Sequence, residues 1–253
     1  MTTEQFIIAL FCEVDDRMSD VHHHPQSSFY PSEVVTLALL FVLKGGPHRA
    51  FYRWVQRDLR PLFPNLPERT RLLRLFKRHA PTTQRFLAPP SFFTVMDTYG
   101  VELLHPTREG RSSLQVGRKG KSNKRWIVGI KLCWLVTDQG QVVAWDWSTA
   151  NVHDQNFRLV AEQFDEQTIT LTDLGFRKAD VPQRNLKLCP PKTWGERMVI
   201  ETVFSLVTTV CHLKKLWHRR APYLTAHLAY MAALFNCLLH FSEGKLSIAQ
   251  FSL

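Results

Sequence analysis

Asp97, Asp173 and Glu201 are the residues whose type and setting in this chain could do chemistry. Asp97 closes the run Ser91-Phe-Phe-Thr-Val-Met96. Asp173 closes Thr168-Ile-Thr-Leu-Thr172 and precedes Leu-Gly-Phe, and Glu201 lies in Arg197-Met-Val-Ile-Glu-Thr-Val-Phe204. Two acids closing strand-like runs and a third on a helix can supply the hard oxygen ligands that Mg²⁺ prefers. Two such ions about 3.5–4 Å apart activate an attacking oxygen and stabilise a departing one in an in-line phosphoryl transfer. In that scheme Asp97 bridges both ions, Asp173 holds one and Glu201 the other. Acidity alone says little, because the chain has 22 carboxylates and most acids in any protein are solvated or ion-paired. The surroundings must agree.

The surroundings of Glu201 do agree. Val199, Val203, Leu206, Val210 and Leu213 recur at three and four residues and predict an apolar stripe on a helix over about Thr193 to Leu216. A second stripe carries Trp194, Arg197, Glu201, Ser205, Thr208, His212 and Lys215. Arg197 suits a bidentate phosphate contact or the orientation of Glu201, and Trp194 suits stacking on an unpaired base; the plainer alternatives are a helix ion pair and core packing. From Arg108 to Lys131 there are eight Lys or Arg against one Glu. With its Gly, Ser and Asn, that segment reads as a flexible loop that orders on a phosphate backbone. Arg118, Lys119, Lys121, Lys124, Arg125 and Lys131 are its candidate contacts. In a helix near the N-terminus, Arg71, Arg74 and Arg78 share one face, which suits either DNA or solvent.

The elements that would position these groups are legible in outline. Helices are expected at about Thr3 to Asp16, Ser32 to Leu43, Ala50 to Leu59 and Glu68 to His79, separated by Gly45-Gly-Pro47 and by Pro61, Pro64 and Pro67. Prolines from Pro81 to Pro90 mark a linker. Strands follow at Ser91 to Met96, Trp126 to Thr137, Gln141 to Ser148, Thr168 to Thr172 and Leu186 to Cys189, the second and third as a long hairpin. Asp154 reads as the cap of a short helix ending near Phe164, in preference to a His153-Asp154 metal pair of the kind some hydrolases use, and a last helix runs from Pro222 to Phe241. The order predicts a residue 1–80 helical region, an 81–90 linker and a 91–253 α/β domain with a mixed sheet and flanking helices.

Composition narrows the partners. A formal net charge of +10 points to a polyanion, nucleic acid foremost. The five cysteines are widely spaced and include no Cys-x-x-Cys pair, which predicts reduced, buried thiols and a cytoplasmic setting. The start Met-Thr-Thr-Glu-Gln lacks the features of an export signal. His227, Asn236 and His240 make the apolar run from Tyr223 to Phe241 a buried helix rather than a membrane span. His22-His-His24 has poor geometry for a shared metal, and neither Gly45-Gly-Pro nor Gly117-Arg-Lys-Gly matches a phosphate loop.

Several segments together resemble a known family. Leu10-Phe-Cys-Glu-Val-Asp-Asp16, Gly45-Gly-Pro-His-Arg-Ala-Phe-Tyr-Arg-Trp54 and Leu62-Phe-Pro-Asn-Leu-Pro-Glu-Arg-Thr-Arg71 are similar to the leader of bacterial insertion-sequence transposases of the DDE group, most of all the insertion sequence 982 family. Asp97, Gly129-Ile-Lys131, Val152-His-Asp154, Asp173-Leu-Gly-Phe176 and Ile200-Glu-Thr-Val-Phe204 resemble its catalytic core. The resemblance implies an RNase H-like fold behind a helical DNA-binding region. It also implies two Mg²⁺ ions, with Mn²⁺ as a substitute, cleavage at terminal inverted repeats, strand transfer into target DNA, and a homodimer in a synaptic complex. Some relatives carry Tyr, Arg, Glu and Lys where this chain has Trp194, Arg197, Glu201 and Thr208. The missing lysine leaves its phosphate role open to Lys214 or Lys215. The alternatives are an inactive, transposase-derived DNA-binding protein and an RNase H-like nuclease without strand transfer.

Overall fold

A computed structural model describes residues 2–122, 125–178, 184–190 and 195–251. Its first elements are four helices: α1 (Thr3–Arg17), α2 (Pro31–Lys44), α3 (His48–Asp58) and α4 (Arg69–His79). Their ends follow from local chemistry. Thr2 and Gln5 form a reciprocal capping box at α1. Pro31 opens α2, where the missing N–H costs nothing. Gly45, at φ 65°, ends it, and the ring of His212 fills the space that a Cβ there would need. Glu68 lies just outside α4 and its carboxylate accepts the N–H groups of Thr70 and Arg71 at 3.0 and 3.2 Å. Pro81 to Phe86 are not extended; Ala80–Phe86 forms 3-10 turns.

Six strands make one mixed sheet: β1 (Phe93–Leu104), β2 (Arg118–Ser122), β3 (Arg125–Thr137), β4 (Val142–Thr149), β5 (Ile169–Thr172) and β6 (Leu186–Leu188). The order is β2-β3-β1-β5-β6, with β4 also on β3. β1 runs antiparallel to β3, and β5 and β6 continue parallel to β1. Since β1 takes one edge of β3, β2 and β4 share the other, opposite residues 125–129 and 130–136 respectively. The expected mixed sheet with flanking helices is therefore present.

Two strand assignments differ from the sequence reading. β1 continues eight residues past Met96, because the Asp97↔Trp134 to Val101↔Ile130 pairs keep it on β3. Part of the basic segment expected as a loop is the strand β2, whose register Arg118↔Gly129 to Ser122↔Arg125 satisfies its backbone on the hairpin partner.

The short helical stretch after β4 is a 3-10 turn, Asp154–Arg158, followed by α5 (Leu159–Glu162). α6 (Met198–Val210) and α7 (Ala221–Phe241) cover one face of the sheet. Trp134, fully buried at the middle of β3, meets Phe204 of α6 at 5.8 Å and Phe235 of α7 at 5.6 Å. α6 stops at Val210 rather than near Leu216; His212 takes φ 56°, a left-handed conformation that ends a helix. Its buried face is Ile200, Val203, Phe204, Val207 and Val210, while Val199 and Leu206 are only partly buried.

α7 is long and apolar enough to cross a membrane, but most of it is buried against the rest of the chain. Asn236 explains one polar residue within it. Its amide accepts the Val142 N–H at 2.8 Å and donates to the carbonyls of Phe86 and Val142 at 2.8 and 2.9 Å. One apolar core runs from Leu10 and Leu37 through Phe76 and Phe86 to Val95, Trp134 and Leu234. A smaller cluster around Met96, Phe157 and Phe176 lies apart from it. Cys133, Cys189, Cys211 and Cys237 are buried, as expected, and Cys12 is exposed.

Candidate active site

The β1–β5 ladder brings two of the three acids together. Its parallel register ends at Val95↔Leu171, and Asp97 and Asp173 each follow two residues later on neighbouring strands about 4.8 Å apart. Buried hydroxyls tie the strands below them: Thr94 Oγ1 and Thr170 Oγ1 lie 3.0 Å apart, and Thr168 donates to Thr94 at 3.1 Å. Asp173 leaves β5 in a turn, where its Oδ1 accepts the Gly175 N–H at 2.8 Å. A side chain at Gly175 would meet Asp173 Oδ1 at 2.9 Å and Asp154 Oδ2 at 3.3 Å, so two carboxylates converge on that glycine.

Asp154 is the residue that sequence reasoning misplaced. The cap of the 3-10 turn is His153, whose ring nitrogen accepts from the Gln155 N–H at 3.4 Å. Asp154 turns inward instead: its Oδ1 accepts from Thr98 Oγ1 at 3.0 Å and pairs with Lys131 Nζ at 2.8 Å. Lys131, expected as a phosphate contact, is thus engaged with a carboxylate. A signal was present, since a lysine inside the apolar run of β3 needs an acid partner to be tolerated there.

The field at Asp97 is distinctive. Burial pushes its carboxyl up from the ordinary range to about 7, with the charges of Asp173 and Asp154 adding to the rise. The Thr98 N–H and Arg197 act in the opposite sense. Arg197, at the start of α6, holds a guanidinium nitrogen 3.8 Å from Asp97 Oδ2. It is therefore paired with Asp97 rather than with Glu201, and its Nε is buried without a partner among the described residues.

Glu201 stands one turn further along α6 on an exposed face. Among the described residues no three Asp, Glu, His or Cys side chains are gathered closely enough to hold a metal ion. The donor set nevertheless suits a hard cation: the charges of Asp173 and Asp154 add to the cost of ionising buried Asp97, and a divalent ion would remove that cost.

The other expected contacts are dispersed. Arg118, Lys119 and Lys121 are exposed on β2 and Arg125 opens β3, with Lys119 Nζ 5.5 Å from the centre of the exposed Trp126 ring. Trp126 was not singled out from the sequence, although Lys121↔Trp126 is a cross-strand pair. Arg71, Arg74 and Arg78 are exposed on α4, as the helical spacing predicts. Lys215 lies beyond α6, paired with Glu102 at 3.0 Å, and Thr208 Oγ1 is buried without a partner among the described residues. Lys124 and Trp194 fall outside the described residues.

No protein-family model, curated protein or solved structure matches the chain.

Proposed function

We propose that this chain is a DNA transposase of the DDE type, with Asp97, Asp173 and Glu201 as its catalytic acids. The observation that carries the reading is the placement of Asp97 and Asp173 side by side at the end of the β1–β5 ladder, with Arg197 facing Asp97. An acid-bearing central strand between an antiparallel hairpin and two parallel strands is compatible with the RNase H-like core that the reading requires. The charge of +10 and the exposed cations of α4 and β2 supply an electrostatic surface for a phosphate backbone.

Asp97 and Asp173 would hold the divalent ions, Mg²⁺ or Mn²⁺, and Glu201 would complete the set from α6. Bound ions supply Lewis acidity to the attacking and leaving oxygens. The protein's own groups bind and orient. Arg197 offsets the charge on Asp97 and offers a planar fork to a phosphate, while the Lys131–Asp154 pair and Thr98 keep Asp154 directed at the site. The partners are the inverted-repeat ends and target DNA, with a second copy of the chain in the synaptic complex, all in the cytoplasm.

The test is cleavage of labelled candidate ends in Mg²⁺, with products mapped on both strands. Asp97→Asn is expected to lower cleavage by at least about 10³-fold and to leave DNA affinity within a few fold. Cleavage that persists in Asp97→Asn overturns the assignment. A second reading, a DNA-binding descendant that has lost catalysis, is favoured by one observation: Glu201 is not gathered with the aspartates. Tight DNA binding with no cleavage by the unaltered chain selects it.

A further inference from the structure

Past the end of β1 lies a recess that the acidic site does not use. It has a volume of about 420 Å³ and is lined by Arg108, Arg111, Arg219 and Arg220, together with Leu103 and Leu104. Among the described residues no carboxylate lines it. None of the four guanidinium groups has an ion-pair partner among the described residues. Glu109, the acid nearest in sequence, gives its carboxylate to the Lys119 N–H at 2.8 Å instead. The 21-residue helix α7 begins next to Arg220 with no acid in its first turn, so its positive end adds to the same field.

Four like charges around one recess repel one another, and a polyanion relieves that repulsion. Planar guanidinium groups beside apolar side chains suit a ligand that presents both phosphates and flat, weakly polar surfaces. Nucleic acid has both; an acidic peptide lacks the second.

Position makes the ligand more specific. Leu103 and Leu104 lie six and seven residues along β1 from Asp97, roughly 20–23 Å at about 3.3 Å per residue. That span equals about six or seven nucleotide steps at about 3.4 Å each. We infer that the Arg108, Arg111, Arg219 and Arg220 recess grips the DNA backbone about six or seven nucleotides from the phosphodiester at Asp97. This inference rests on the DNA-processing reading above.

The test measures binding alone, without divalent metal, using the full chain and duplexes shortened stepwise on either side of the candidate cleavage position. The quadruple variant Arg108→Gln, Arg111→Gln, Arg219→Gln, Arg220→Gln is expected to have a slope of log affinity against log salt shallower by about 3 to 4, about 0.9 for each phosphate no longer neutralised. The unaltered chain should lose affinity once the duplex ends short of about six nucleotides, and the quadruple variant should not respond to that shortening. The pair Arg108→Gln, Arg111→Gln should give about half the change in slope, which guards against misfolding of the larger variant. Equal slopes and equal length dependence overturn the inference, as does displacement of bound DNA by polyglutamate at lower concentration than by competing DNA. An unaltered chain that binds no DNA removes the proposed function as well, whereas one that binds DNA indistinguishably from the quadruple variant removes the recess alone.

Discussion

Asp97 carries the site's electrostatic cost. Its carboxyl is raised from 3.8 in the unfolded chain to about 7 in the fold, so between those values the folded state holds more protons than the unfolded one. Asp97's contribution to the stability of the metal-free protein therefore falls as pH rises from about 4 through about 7, opposite to that of the buried histidines. Asp97→Asn removes the charge, and urea midpoints should show it more stable than the unaltered protein at pH 8, by of order 4 kcal/mol, with the difference gone at pH 4. An unchanged pH profile would show that Asp97 is not held in this field. The two aspartates were readable because each closes a run with strand character. Asp154 was read as a cap, because a polar residue at a helix start looks the same whether it caps the helix or serves a neighbouring strand; the lysine inside β3 was the signal that an acid must meet it.

At the level of elements, Asn236 shows what α7 does besides filling the core. One side chain satisfies three backbone groups, two on Val142 at the start of β4 and one on Phe86. Asn236→Leu keeps the volume but leaves the Val142 N–H and the Phe86 carbonyl unpaired in an apolar setting, at about 1–3 kcal/mol each if neither finds water, while the Val142 carbonyl keeps the Ala88 N–H at 2.9 Å. A loss of roughly 3 kcal/mol or more in chemical unfolding is expected, with Asn236→Asp intermediate because it restores the acceptor alone. Helix positions were legible because the four N-terminal helices have clear periodicity and stop signals. The end of α6 was not, since Leu213 and Leu216 continue the apolar spacing while His212 turns the chain. The β2 strand was hidden for a different reason: Arg118 to Ser122 has no apolar alternation, and only pairing with β3 makes it a strand.

Across the whole molecule, histidines join parts of the chain that are distant in sequence. His48 opens α3, His218 follows α6 and His227 lies in α7; the His218 and His227 rings are 4.5 Å apart. Burial, helped by the charge of Arg69, pulls His48 down to about 4, and burial with His48 nearby does the same to His218. Their folded values lie below the unfolded 6.5, so the stability they permit is complete above about pH 6.5 and is lost as pH falls towards 4. The histidines' share should show as a double variant, His48→Asn with His218→Asn, whose thermal midpoint gains on that of the unaltered protein as pH falls across that window. The mixed sheet with its flanking helices was legible in the order of elements. The continuous core was not, because the prolines from Pro81 to Pro90 suggested a spacer, whereas Phe86 is buried among the side chains on both sides of it.

α4 is bound to α7 by the Tyr230 hydroxyl, which donates to the Phe76 carbonyl at 2.9 Å, and α7 is bound to β4 by Asn236. Through these two side chains α4 is fastened to the sheet that carries Asp97. A phosphate backbone laid along its arginines, as the proposed function requires, would rest on an anchored part of the fold and not on a swinging arm.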